Sequence, residues 1–449
     1  MQESITLQQS SFAPVSSMWT RFFGYLTADG LNYLLGFAIY GWLIRVLSDR
    51  QYGYLSIATS IYQVLMMVTA LGIDLIGPRL ISDAGGNPSL IALRAQRIRI
   101  AVALLVCTPI TAILSVAYWR LGQHDVAWVI LAGFAMVFAR ALDLTFMAVA
   151  LDAPGPLART RASGLGLFLV SLLLCKGFVA RGVWLVPLLN AAGITIGRIQ
   201  LMRILRRRAE QRISPASVHL STAYIVRQGA KAGSGQLLLF ILQGMDVVLL
   251  ARYTSTEAVG QYAMVSRLYL FGTAVLACLL NTYMPALIAV ANDPASLSRL
   301  FRKFLLTSVA IGLLGCAAFW LAAPAVCELL GHRQLNIVRQ ISPLFAILFL
   351  AMSICNPFLS FLPSLHRSGT YLIGICIALV LLLATDLALM PRVGPTGAAL
   401  GQLTATIFLA VFMSCAYSRH VHSAQNWVAL EALTPPDHSN PVLSQPFRS

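Results

Sequence analysis

Apolar residues in this chain come in long blocks, not in alternation. Twelve blocks stand out, at 22–46, 53–80, 98–119, 126–150, 163–180, 183–204, 230–251, 260–290, 304–325, 340–365, 369–390 and 396–417. About 20 apolar residues carry a helix across a membrane, so each block predicts one span. The weak segments of about ten alternating residues that mark a membrane β-barrel are absent from the pattern. The first 19 residues are polar and carry no apolar segment of the kind a cleavable signal needs.

One polar break is written twice. "RVLSDRQYGYLSIATSIYQ" begins at Arg45 and "RYTSTEAVGQYAMVSRLYL" at Arg252. At an offset of 207 residues Arg45 falls on Arg252, Ser48 on Ser255, Gly53 on Gly260 and Tyr62 on Tyr269. The register holds further on, where Pro78 meets Pro285 and Ile81 meets Ile288. A repeat of six spans starts both copies on the same side, so the two halves are parallel, as in transporters built from two equivalent bundles. The glycines suit a tight turn. The prolines remove a helical hydrogen bond late in the second span of each half, which makes Pro78 and Pro285 candidate hinges.

Composition agrees with the pattern. The chain is 58% apolar and only 11% charged, with mean hydropathy +0.77, whereas soluble domains carry roughly 25% charge. The net charge of +16 is laid out by topology. With the N-terminus inside, sixteen Lys and Arg fall in inner loops, among them Arg94, Arg97, Arg99 and the "RRR" at 206–208, against seven outside. That excess follows the positive-inside rule and predicts both termini in the cytoplasm, so the charge gives no reason to expect nucleic acid. Eight cysteines lie almost wholly within apolar blocks, with no CxxC or Cys/His cluster. They read as small buried hydrophobes, and neither a metal nor a cofactor is expected.

The expected organisation is a polar cytoplasmic N-terminus (1–19), a first lobe (20–204), a basic cytoplasmic linker (205–229), a second lobe (230–418) and a disordered cytoplasmic tail (419–449). The fold class is an all-α integral membrane protein of about twelve spans in two parallel six-helix lobes.

"LSDRQYGYLSIATSI", "TSTEAVGQYAMVSRL" and "VGPTGAALGQLTATI", the last with Gly394, Gly397, Ala398 and Ala399, resemble the multidrug/oligosaccharidyl-lipid/polysaccharide exporter superfamily. The resemblance is to its Wzx-like polysaccharide flippase branch and covers about residues 20–420. "RGVWLVPLLNAAGITIG" departs from the pattern by lacking the second glycine. The resemblance implies a MATE-like pair of lobes around a cavity in the bacterial cytoplasmic membrane. It also implies alternating access driven by a gradient of H+ or Na+, with a polyprenyl-pyrophosphate-linked oligosaccharide as substrate and polysaccharide assembly proteins and membrane lipids as partners.

Ionisable residues inside spans are expensive, which makes each a candidate site. For phosphate recognition these are Arg267, Arg140, Lys176 and Arg45. Arg267 has the non-basic Ser60 as its repeat counterpart. Arg140 precedes Asp143 by three residues, so an internal ion pair is the competing reading. Lys176 can snorkel to an interface, Arg45 can anchor one, and Arg198 reads as snorkelling to the inner face. For ion coupling the candidates are Asp29, Asp246 and Asp74, while Asp386, near the end of its block, reads as interfacial. Tyr25, Tyr33, Tyr40, Trp42, Tyr62, Tyr269 and Tyr283 are candidates for stacking on sugars, with membrane-interface belts as the competing reading for several.

Two rivals remain. A drug or organic-cation antiporter of the same superfamily should line its cavity with carboxylates and aromatics. A polytopic O-antigen polymerase or ligase should carry a large outer loop, and the longest here runs only from about Val326 to Ile341. A G-x-x-x-x-G-K-[ST] loop for ATP is missing from the sequence.

Overall fold

The computed structural model describes residues 15–83, 88–151, 153–210, 221–290, 293–329, 336–361 and 368–433, with side chains from residue 30 onward at most positions. Helix is the only regular structure among them. The first half holds α1 (Val15–Val46), α2 (Asp49–Ala70), α3 (Ile73–Asp83), α4 (Pro88–Val102), α5 (Thr108–Arg120) and α6 (His124–Ala141). It continues with α7 (Thr145–Ala150), α8 (Pro154–Leu174), the single turn α9 (Lys176–Val179) and α10 (Leu185–Glu210). The second half holds α11 (Thr222–Tyr253), α12 (Thr256–Ala289), α13 (Pro294–Leu329), α14 (Asn336–Phe361), α15 (Ser368–Val393) and α16 (Pro395–Leu433).

Among the described residues eleven spans are long and apolar enough to cross a membrane. One of them, Pro88–Arg120, joins α4 to α5 through a π turn at Ala103–Cys107. With the 32-residue α1, the expected number of about twelve is met. Leucines such as Leu174, Leu314 and Leu321 point outward, where lipid tails replace a protein partner.

The repeated serines start helices. Ser48 accepts from the Gln51 N–H at 3.3 Å, and Gln51 Oε1 accepts from the Ser48 N–H at 3.0 Å. This capping box satisfies two orphan donors at the head of α2. Ser255 accepts from the Ala258 N–H at 3.3 Å at the head of α12.

The repeated glycines join the halves. A side chain on Gly53 would strike the backbone of Thr256, and one on Gly260 would strike the backbone of Asp49. Asp49 and Thr256 are themselves 207 residues apart, so the contact is reciprocal about a pseudo-two-fold axis. Gln261 Nε2 donates to Asp49 Oδ2 at 3.1 Å across it. One continuous apolar core crosses here, from Leu43 and Tyr52 to Val259 and Phe345. The seam runs along α2, which meets α11 and α12, and along α1, which meets α12.

The second long helix is interrupted at Leu71 and Gly72, both at positive φ (48° and 63°). A leucine in that region costs about 1–3 kcal/mol, so the surroundings must impose it. Gly72 lies directly against Gly229 and Gly233 of α11, where a Cβ on any of the three would meet the other backbone. Close packing across the seam therefore fixes the break. Pro78 sits inside α3, downstream of that break. Pro285 lies within an α12 that runs on unbroken, and its side chain is outside the described residues.

Several boundaries differ from expectation. The helices α10 and α11 reach Glu210 and Thr222, deep into the expected linker, and α16 continues to Leu433 through part of the expected tail. Residues 1–14 and 434–449 lie outside the described residues. Among the cysteines, Cys107, Cys278, Cys327 and Cys355 are buried, but Cys376 and Cys415 face outward.

Candidate functional site: an arginine at the seam and two carboxylate clusters

Arg267 projects from α12 to the first half, where its guanidinium lies 5.5 Å from the centre of the Tyr40 ring. A cation over an aromatic face is worth about 0.5–2 kcal/mol, less than a paired carboxylate offers. Tyr52 and Tyr62 are also near enough to feel its charge. No carboxylate pairs with Arg267 among the described residues. Asp246 is near enough to act on it through space but forms no ion pair with it.

Tyr40 also lines a cavity of about 110 Å3, together with Thr59 and Tyr62 of α2 and Asn190 of α10. A second cavity of about 240 Å3 adjoins it through the shared Leu165 and takes in Asn32, Thr160, Asp143 and Arg198. Of the tyrosines considered for stacking, Tyr62 and Tyr269 are largely buried. Tyr269 packs edge-on against Phe345 and Phe349.

Arg140 has a different setting. It bonds Asp143, and its Nη2 lies 2.6 Å from Asp74. Asp74 also takes Arg99 at 2.8 Å, and Asp143 takes Arg198 at 2.9 Å. Thr145 caps Asp143 with its N–H at 2.9 Å and its hydroxyl at 2.7 Å. Three arginines and two aspartates thus tie α3, α4, α6 and α10 into one network. Removing one member of such a buried set costs about 3–5 kcal/mol, because its partner is left unpaired. Arg140 and Asp74 are therefore held by each other rather than turned to a free ligand.

Two expectations are corrected here. Arg99, assigned to an inner loop, is fully buried, donates from Nη1 to the Asp143 carbonyl at 2.7 Å and stands 5.3 Å over the Phe146 ring. Arg198, read as snorkelling, is bound to Asp143 and to the Ala139 carbonyl. The signal that could have found both is charge balance, since two carboxylates placed within spans call for more than one cation.

In the second half Asp246 of α11 is buried, and Tyr262 donates its hydroxyl to one carboxylate oxygen. The Val247 N–H donates to the other at 2.8 Å. Gln402 of α16 reaches the same place and donates to the Leu242 carbonyl at 2.7 Å. Asp386, expected at an interface, is instead fully buried against Gly401, and neither carboxylate oxygen has a hydrogen-bond partner among the described residues. The close approach of α16 at Gly401 explains its burial. Asp246 and Asp386 are close enough to interact electrostatically.

The remaining candidates fall elsewhere. Arg45 donates from Nη2 to the Leu329 carbonyl at 3.1 Å, closing the end of α13 onto α1. Lys176 is exposed beside the outward-facing Phe178 and lines neither cavity. The side chain of Asp29 is outside the described residues.

Comparisons with known proteins agree with this architecture. The structure superposes on the lipid II flippase MurJ in its inward closed conformation with a TM-score of 0.68, at 12% identity, over 88% of this chain and 87% of that one. A mutant of the Vibrio cholerae MATE transporter VcmN gives 0.62 at 17% identity, over 91% and 98%. A MOP superfamily transporter from Pyrococcus furiosus gives 0.64 at 12%, over 91% and 96%. At these identities the likeness shows the fold. No curated protein sequence matches. The sequence profile described as "Polysaccharide biosynthesis protein" matches residues 18–290, more than half of the chain. The fold is the one found in these proteins, and the chain belongs to the polysaccharide biosynthesis protein family.

Proposed function

We propose that this protein is a flippase that carries polyprenyl-pyrophosphate-linked oligosaccharide repeat units across the bacterial cytoplasmic membrane for polysaccharide export. The observation that carries the reading is Arg267, a cation with no salt-bridged carboxylate among the described residues, at the meeting of the two halves and over a tyrosine that lines a cavity. Moving a pyrophosphate through hydrocarbon leaves its charge unpaired at a cost of several kcal/mol, which such a guanidinium offsets by bidentate donation. Tyr40, Thr59 and Asn190 then offer an aromatic face and hydrogen bonds to the first sugar. An organic-cation antiporter is disfavoured by the same arginine, which would repel its substrate.

In this reading the second-half carboxylates supply the drive. A proton or Na+ entering between Asp246 and Asp386 removes negative charge near Arg267, which lies within electrostatic range of Asp246. Occupancy of that site and the hold on the pyrophosphate are then linked, and linkage is reciprocal. The positive-inside excess supports a cytoplasmic position for both termini.

The test is leaflet accessibility of lipid-linked repeat units in cells whose only such flippase is this chain. Arg267→Ser, which copies the residue at the equivalent position of the first half, should trap the units in the inner leaflet while the protein folds at the wild-type level. Unchanged appearance in the outer leaflet, with this variant or in cells lacking the protein, overturns the proposal.

A further inference from the structure

An open groove of about 450 Å3 lies between α8 and α10 at the basic end of the first half, meeting the 240 Å3 cavity at Thr160. Arg159 and Ser163 line it from α8, and Gln200, Arg203, Ile204 and Arg207 from α10. All three arginines are exposed and have no ion pair among the described residues, and no carboxylate lines the groove. Ser163 donates to Gln200 Oε1 at 2.9 Å, which fixes the floor and turns the Gln200 amide nitrogen towards other acceptors. The groove is thus built of donors.

Its surroundings say what kind of anion fits. Counting back from Arg203, Ile199 and Ile196 fall four and seven residues earlier, on the same face of α10. They are 39% and 42% exposed. Along α8 the row that begins with Arg159 and Ser163 continues through Leu167, Val170 and Leu174, all exposed. Each helix therefore presents one continuous face that is apolar within the span and basic at its end. Topology alone asks for positive charge at this end in any direction. Arg206 and Arg208 meet that need without lining the groove.

We propose that this groove binds the phosphodiester headgroup of an anionic phospholipid, with its acyl chains lying along the apolar faces of α8 and α10. Guanidinium groups grip phosphate oxygens in pairs, and each basic residue near an anionic membrane surface contributes about 1 kcal/mol. A soluble phosphate would use the same donors but gain nothing from the apolar rows. The site is independent of the transport reading and of which way the chain faces.

The test uses the full-length protein in nanodiscs of phosphatidylcholine carrying a small fraction of spin-labelled or fluorescent phosphatidylglycerol. Binding to the wild type should be saturable. R203A/R207A should weaken it tenfold or more, as expected for the loss of two charge-assisted phosphate contacts, while R206A/R208A, which removes the same charge from the same turn without lining the groove, should stay within about twofold. Equal weakening by both pairs would mean diffuse attraction and overturn the site, as would no weakening by either. Inorganic phosphate is titrated into the detergent-solubilised protein as a second arm. Phosphate binding that phosphatidylglycerol does not displace would assign the groove to a soluble anion instead and also overturn the proposal. If R203A/R207A fails to fold, Arg159→Ala on the opposite wall should still lower lipid binding about fivefold, and an unchanged value there counts against the site.

Discussion

The two halves descend from one repeated pattern, yet they bury charge in opposite ways. In the first half, Asp74 and Asp143 are clasped by Arg99, Arg140 and Arg198, so each of the two carboxylates has a cation. In the second, Asp246 and Asp386 share a site with a tyrosine and a glutamine, and Asp386 has no hydrogen-bond partner among the described residues. The difference separates two uses of buried charge. A network with its counter-ions built in is a clamp, stable as it stands. The pair of acids has no ion-pair partner among the described residues, and the proposed coupling ion would supply one.

Substitutions can break that comparison, and the largest effect is expected at Asp143. Asp143→Asn leaves Arg140 and Arg198 without their shared anion and should cost about 3–5 kcal/mol, read as a lower midpoint in denaturant titration of the purified protein. Next comes Gly260→Val, which places a branched side chain against the Asp49 backbone and should cost about 1–3 kcal/mol by overpacking. Gln261→Ala removes a single bond across the same seam and should cost about 0.5–1.5 kcal/mol. The smallest change is predicted at Asp386. Asp386→Asn should shift stability by no more than about 1 kcal/mol, yet it should abolish any difference in thermal midpoint between Na+ and K+ and any dependence of transport on the cation gradient. A large stability loss at Asp386, or none at Asp143, would reverse the roles assigned to the two halves.

Much of the fold was legible in the chain because its determinants are local. The length of an apolar block sets a span whatever it packs against, and Ser48 and Ser255 mark helix starts by the groups they cap. The pair Arg140 and Asp143 was legible for the same reason, being three residues apart on one helix face. Other features depend on what arrives from elsewhere. Arg99 looks like a loop residue until Asp74 is brought to it by the break after α2. That break follows from glycines of α11 more than 150 residues away in sequence, so Pro78 was the nearest local feature that could be read in its place. The burial of Asp386 comes from α16, which packs on it through Gly401, and position along its own apolar block does not show that.

The reciprocal contact of Gly53 with Thr256 and of Gly260 with Asp49 has the geometry of an isologous dimer interface. In a true dimer one substitution would be felt at both seats, and neither could change alone. Joining the two halves in one chain lifts that restriction, since each seat now has its own codons. The result is visible in the structure, where one seat carries a bond from Gln261 to Asp49 while the residue equivalent to Gln261 in the other copy is Tyr54, held instead by Arg50 at 2.6 Å. The joint keeps its shape in both copies while its chemistry differs, as Arg267 of one half differs from Ser60 of the other.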